Sequence, residues 1–153
     1  MGVNLHSGGE GLYTPIAGNL EQGFSARLVY YGMLMAERFA GATFVTASLS
    51  AQSKTQNVTA FAASRGYEWK LAIFNEAAAP VRLKFTGIES TKSKAEVTFL
   101  QGKAIDGKDG VTLGGSSVGA NGAFAPRPQT TISIRHGKGT VELPAYTAAV
   151  VEL

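Results

Sequence analysis

Residues 24–41, FSARLVYYGMLMAERFAG, are the only run in the chain that reads as a helix, and the rest of the fold is inferred outward from them. Phe24, Leu28, Tyr31, Met35 and Phe39 step by four, three, four and four residues, which lines them along one face at about 3.6 residues per turn. Arg27, Glu37 and Arg38 fall off that line. Ser25 reads as the N-cap, Arg38 as a last-turn cation suited to the helix dipole, and Gly41 as a left-handed C-cap. Burying five such side chains is worth roughly 1.5–3 kcal/mol each, a gross term comparable with the roughly 5–15 kcal/mol net stability of a domain. The face therefore needs a cover, and the short strands that follow it predict a β-sheet.

Those strands are read from a change of period. Thr43 to Ser50, Asn57 to Ser64 and Tyr67 to Asn75 alternate apolar and polar residues between polar or glycine breaks. Val81-Arg82-Leu83-Lys84-Phe85 is the cleanest alternation in the chain, and Ala95 to Leu100 continues the pattern. From Gly102 to Pro128 the sequence turns glycine-rich and loses periodicity apart from Val111-Thr112-Leu113, which reads as a long loop. Strand character returns at Thr131 to Ile134, Thr140 to Leu143 and Tyr146 to Leu153. Before the helix, Val3 to His6 reads as a short strand that Ser7 to Gly11 break, and Leu12 to Gly23 reads as a loop held out of helix by Pro15. The predicted fold is mainly β: an antiparallel β-sandwich of about eight strands with one N-terminal α-helix.

With 153 residues, one hydrophobic core suffices, and 44% apolar with 16% charged residues is the balance of a globular domain. No apolar run approaches the roughly 20 residues of a membrane helix, so no membrane partner is expected. The net charge of +3 is spread over scattered bases, too dilute for a nucleic-acid surface. Zero cysteines leave no disulfide, thiolate nucleophile or sulfur metal site. No secretory signal pattern is visible at Met1-Gly2-Val3-Asn4, and composition leaves the compartment open.

The ending Leu143-Pro144-Ala145-Tyr146, followed by the apolar Thr147 to Leu153, resembles the last strand of the β-sandwich that closes many retaining glycosidases built on a (β/α)8 barrel. At the other end stand Val3 to His6, the loop ending Gly11-Leu12-Tyr13-Thr14-Pro15-Ile16, and the helix segment Leu28-Val29-Tyr30-Tyr31-Gly32-Met33-Leu34. Together they resemble the eighth strand, loop and eighth helix of glycoside hydrolase family 79, which contains β-glucuronidases and heparanase. The resemblance covers essentially the whole chain. It implies residues 1–23 as a leftover barrel strand with an active-site loop, 24–41 as a helix on the sandwich, and 42–153 as the C-terminal sandwich. The partners it implies are the catalytic barrel of a parent enzyme and a uronic-acid-containing sugar, with no cofactor and with export of the parent as a secreted or periplasmic enzyme. The helix face left by a missing barrel implies self-association.

The resemblance also implies site residues. In the family a backbone N–H of the Gly and the hydroxyl of the Tyr in a Gly-x-Tyr on this loop hold the uronic-acid carboxylate, and the matching positions are Gly11 and Tyr13, with His6 facing either the sugar or its own loop. A carboxylate wants several converging donors, and glycine lets the main chain come close. The retaining reaction needs two carboxylates about 5–5.5 Å apart. Their counterparts belong to earlier barrel strands, and Glu10 is the lone acid near the loop, so this chain is expected to be catalytically silent.

Other patterns carry less. Gly8-Gly9-Glu10-Gly11 lacks phosphate-loop spacing, and Asp106 to Gly110 lacks the ligands of a calcium loop and reads as a turn. His6 and His136 build no metal site. Asn57-Val58-Thr59 fits the glycosylation pattern. Tyr67 and Trp69 alternate on one strand as either a sugar-stacking platform or core, which keeps open a free-standing carbohydrate-binding module or an interaction domain.

Overall fold

A computed structural model describes residues 14–50, 57–104 and 110–153. Its centre is a twisted antiparallel sheet whose middle strands are apolar on both faces. Strand β5 (Glu68–Asn75) runs Leu71-Ala72-Ile73-Phe74, and β11 (Thr147–Glu152) runs Ala148-Ala149-Val150-Val151. A continuous apolar run in place of an alternation marks a strand buried on both sides. β11 lies between β5 and β7 (Lys94–Gln101), pairing antiparallel with each. Outward from β5 come β4 (Val58–Arg65) and β3 (Thr43–Val45). The outer edge of β7 is shared by β8 (Thr112–Leu113) and β9 (Thr130–Ser133).

Two layers cover this sheet. On one face, β6 (Val81–Phe85) and β10 (Gly139–Leu143) form a two-stranded antiparallel sheet. Its inward Leu83, Val141 and Leu143 pack against Leu71, Ile73, Val97, Ala149 and Val151 of the main sheet. This is the sandwich core. On the other face lies α1 (Leu28–Glu37), whose Met35 packs with Phe39 on Ala63, Ala72, Ala148 and Val150. The alanines keep that floor low, so the helix can approach the strands closely. The mainly β, antiparallel sandwich with one helix is thus the observed architecture, with eleven strands among the described residues where about eight were expected.

Several boundaries differ from expectation, and the strand expected over Thr43 to Ser50 ends at Val45. Residues 16–26 are a hairpin, β1 (Ile16–Asn19) and β2 (Gly23–Ala26), where a loop and the first helical turn were expected. Asn19 Oδ1 accepts from the backbone N–H groups of Glu21 and Gln22, and Gly23 turns with φ +78°, so the hairpin has its own local nucleus. Pairing with β1 takes Phe24 and Ser25 out of helical reach. The helix therefore starts at an N-cap of Arg27 with no side-chain cap bond, not at Ser25, and of the expected stripe Tyr31, Met35 and Phe39 are buried while Phe24 and Leu28 are exposed. At the other end helical hydrogen bonding gives way to tight turns through Ala42, and Gly41 takes the expected positive φ of +74°. Val3 to His6, the expected barrel strand, lies outside the described residues.

Asn75, 2% exposed, is buried with its side-chain amide fully engaged. Its Nδ2 donates to the carbonyls of Ala79 and Pro144 at 2.9 and 2.8 Å, and its Oδ1 accepts from the Ala77 N–H. One side chain thereby ties the β5–β6 connection to the β10–β11 connection. Asn75→Ala is expected to cost about 1–3 kcal/mol by stranding these buried groups, measured by denaturant unfolding at unchanged m-value; a loss indistinguishable from zero contradicts this account.

Candidate functional site

His6, Gly11 and Tyr13 lie outside the described residues, so the candidate site is seen from its base. Thr14 is buried, and the Pro15 carbonyl accepts from the Arg27 N–H at 2.8 Å, closing the hairpin against the start of α1. Whatever Gly11 and Tyr13 do, they do it from this anchored root. Gly18, with φ +124°, is required here because a Cβ would fall 1.9 Å from the Gly23 carbonyl oxygen.

Beside the root a groove of about 310 Å³ opens at the N-terminal end of α1. Leu28, Phe74 and Leu100 form its apolar walls, and Glu76, Gln101 and Tyr146 supply polar groups. A second hollow, of about 510 Å³, lies between the C-terminal half of α1 and the segment after β8, with Leu34, Phe124 and Pro126 opposite Glu37 and Arg38. Among the described residues each hollow carries one acid, Glu76 in the first and Glu37 in the second. The described residues of neither provide the facing pair that glycosidic hydrolysis needs.

Among the described residues, the acid with two cationic partners serves the fold. Glu152 on β11 accepts from Arg38 Nη1 at 2.7 Å and from Lys70 Nζ at 3.2 Å. Lys70 Nζ also donates to the Arg38 carbonyl at the end of α1. The cation that meets the terminal carbonyls is thus Lys70, while Arg38, expected in that role, reaches across to the sheet. Among the described residues no group of three or more His, Asp or Glu side chains could hold a metal ion. His136 sits exposed in the turn Arg135–Lys138 with φ +50°, and Asn57 is exposed at the start of β4.

Tyr67 and Trp69 do not share a platform. Tyr67 is 84% exposed in the β4–β5 turn, whereas Trp69 packs against the sandwich core and donates from Nε1 to the Glu89 carbonyl at 3.0 Å. The hairpin Ile16–Ala26, with its exposed Ile16 and Phe24, was missed as an element near the site; Asn19 followed by Gly23 was the available signal.

Among solved structures, the chain is similar to a 4-O-α-L-rhamnosyl-β-D-glucuronidase from Fusarium oxysporum 12S, with TM-score 0.66 and 18% identity over 84% of this chain and 30% of that one. It is similar to the GH51 arabinofuranosidase of Xanthomonas axonopodis pv. citri, with TM-score 0.66 and 14% identity over 93% and 29% of the two chains. The fold is one that glycoside hydrolases carry. The catalytic domain of GH30 xylanase C from Talaromyces cellulolyticus matches likewise, with TM-score 0.60 and 13% identity over 92% and 27%. The chain spans less than a third of the length of each of these glycoside hydrolases. No protein-family profile matches it, and no curated protein does.

The packing of Trp69 has a direct readout, because it is the single tryptophan of the chain. Titration with neutral or uronic-acid oligosaccharides is expected to leave its emission unchanged; a saturable spectral shift would place sugar on that side of the sandwich.

Proposed function

We propose that the chain is the non-catalytic C-terminal β-sandwich module of a glycoside hydrolase of the β-glucuronidase and heparanase-like kind, family 79. It braces a (β/α)8 barrel and lends the barrel one substrate loop. The observation that carries this reading is the outer side of α1. Val29 and Met33 are 37% and 40% exposed, and Gly32, Ala36 and Ala40 beside them are exposed as well, although the opposite side of the same helix is buried on the main sheet. A helix apolar all round belongs between two layers, and the described residues supply one. A barrel is the layer that the larger glycoside hydrolases sharing this fold support as the second.

In this reading the loop before the hairpin reaches the mouth of the barrel, because βα loops at the C-terminal strand ends build the active sites of such barrels. Gly11 and Tyr13 hold the uronic-acid carboxylate, and His6 stands at the strand end beside the sugar. Bond cleavage belongs to a pair of carboxylates on the barrel.

The isolated chain is then expected to leave 4-nitrophenyl β-D-glucuronide unhydrolysed, while the full-length enzyme hydrolyses it. In that enzyme Tyr13→Phe should raise KM about tenfold or more, as for losing a hydrogen bond to a charged group. Turnover by the isolated chain, or an unmoved KM, counts against the assignment. The outer side of α1 is also expected to drive self-association of the isolated chain. Met33→Asp should shift it to monomer in sedimentation velocity, and a wild-type chain that is already monomeric at high concentration speaks against an uncovered docking face.

A further inference from the structure

We infer that the outer edge of β4 is a docking slot for residues 46–50 of the same chain, so that β3 runs on past Val45 and covers that edge. The inference goes beyond the module reading and does not depend on it. β3 pairs with β4 only at Ala62, Ala63 and Ser64. Among the described residues, no strand pairs with the outer side of Val58, Thr59, Ala60 or Phe61. The chain leaving β3 continues as Thr46-Ala47-Ser48-Leu49-Ser50, exposed throughout and outside any strand, with Leu49 44% exposed. Such an open edge is a template for pairing.

The direction of the main chain shows which groups the slot offers. The Glu76 N–H donates to the Asn57 carbonyl at 2.9 Å, and these two residues stand opposite each other when the β4–β5 register is continued by one step. Bonding alternates along an antiparallel pair. Thr59 and Phe61 therefore turn their main-chain groups toward β5, while Val58 and Ala60 turn theirs outward. The reciprocal bonds between Trp69 and Leu153 agree, because they turn Leu71 and Ile73 toward β11 and leave Lys70, Ala72 and Phe74 facing β4. Val58 and Ala60 thus present N–H and carbonyl groups at the spacing a strand takes.

The occupant follows from the register already made. Thr43 pairs with Ser64, Phe44 with Ala63 and Val45 with Ala62, so continuing in step sets Thr46 opposite Phe61, Ala47 opposite Ala60, Ser48 opposite Thr59 and Leu49 opposite Val58. Ala47 and Leu49 meet the two outward-turned residues, and each pair closes with reciprocal main-chain bonds. The side chains fit the same register. Val45, Val58 and Ala60 pack against the sandwich core, and Ala47 and Leu49 share the face of Val45, which brings the exposed leucine beside Val58. On the other face Thr46 meets the half-exposed Phe61 ring, a favourable pairing of an aromatic with a β-branched residue. A slip of one residue would turn Leu49 to the wrong side. The cost is the ordering of a short segment, and its tether to Val45 spares it the cost of capturing a second molecule.

The test is amide hydrogen exchange of the whole chain, resolved residue by residue by NMR. Docking is expected to slow the amides of Ala47, Leu49, Val58 and Ala60 about tenfold or more relative to those of Thr46 and Ser48, which point away from β4. Leu49→Asp should cancel the protection of Ala47 and Ala60 and leave the Phe61 amide, bonded toward β5, as slow as before, which shows that the domain is still folded. The chain has no cysteine, so engineered pairs give a second readout. Leu49→Cys with Val58→Cys is expected to form an intramolecular disulfide about tenfold or more faster than Leu49→Cys with Thr59→Cys, whose side chains stand on opposite faces. Fast exchange at all four amides, or equal oxidation rates for the two cysteine pairs, overturns the inference. Protection that vanishes on dilution, or disulfides between chains, puts a second copy on the edge and overturns it as well.

Discussion

The contact on which this arrangement rests is that between a helix and a floor of small side chains. Ala63, Ala72 and Ala148, with Val150 between them, leave room for Met35 and Phe39 of the α1 region to reach the main sheet. Two forces act there, and their sizes separate their roles. Each large side chain buried contributes roughly 1.5–3 kcal/mol, whereas ion pairs open to water contribute about 0.2–1 kcal/mol. Arg38, Lys70 and Glu152 are about a quarter exposed, so burial holds the helix on the sheet. The ions do something burial cannot. Packing on alanines tolerates sliding, and a carboxylate gripped from helix and strand at once fixes where along the sheet the helix stops.

That contact also explains which parts of the fold were legible. β6 could be read to the residue because one of its faces meets water: Arg82 and Lys84 point out while Val81 and Leu83 point in. β5 was read as an alternation over Tyr67 to Asn75 and β11 as strand character over Tyr146 to Leu153, yet their middles are continuous apolar runs in which nothing tells which side faces a helix and which faces a sheet. Phe24 precedes Leu28 by four residues, so a helical stripe extends through it by arithmetic, while the pairing that takes it into β2 is with Gly18, six positions earlier. Periodicity sees side chains; it does not see pairing. Tyr67 and Trp69 share a strand parity, and only tertiary packing separates a turn residue from a core one. The site residues proposed from resemblance, His6, Gly11 and Tyr13, fall outside the described structure, so what became visible is their foundation.

The foundation matters for how such a loop could work. A carboxylate-binding tyrosine is useful only if its backbone is held, and the chain immediately after it is buried at Thr14 and bonded at Pro15. The hairpin, the helix start and the apolar groove at Leu28 meet at that point. The Arg27 N–H to Pro15 carbonyl bond is the link between the start of α1 and the root of the loop.

The location of β11 carries a consequence for biosynthesis. It is the last of the described strands to be translated and yet lies in the middle of the main sheet, hydrogen-bonded to β5 on one side and β7 on the other. Until it emerges from the ribosome, those two neighbours present bare edges separated by a strand-wide gap, a state prone to pairing with other chains. A strand made this late therefore fills the middle of the sheet, and a chain cut short before Thr147 lacks the one element that pairs with both of those edges.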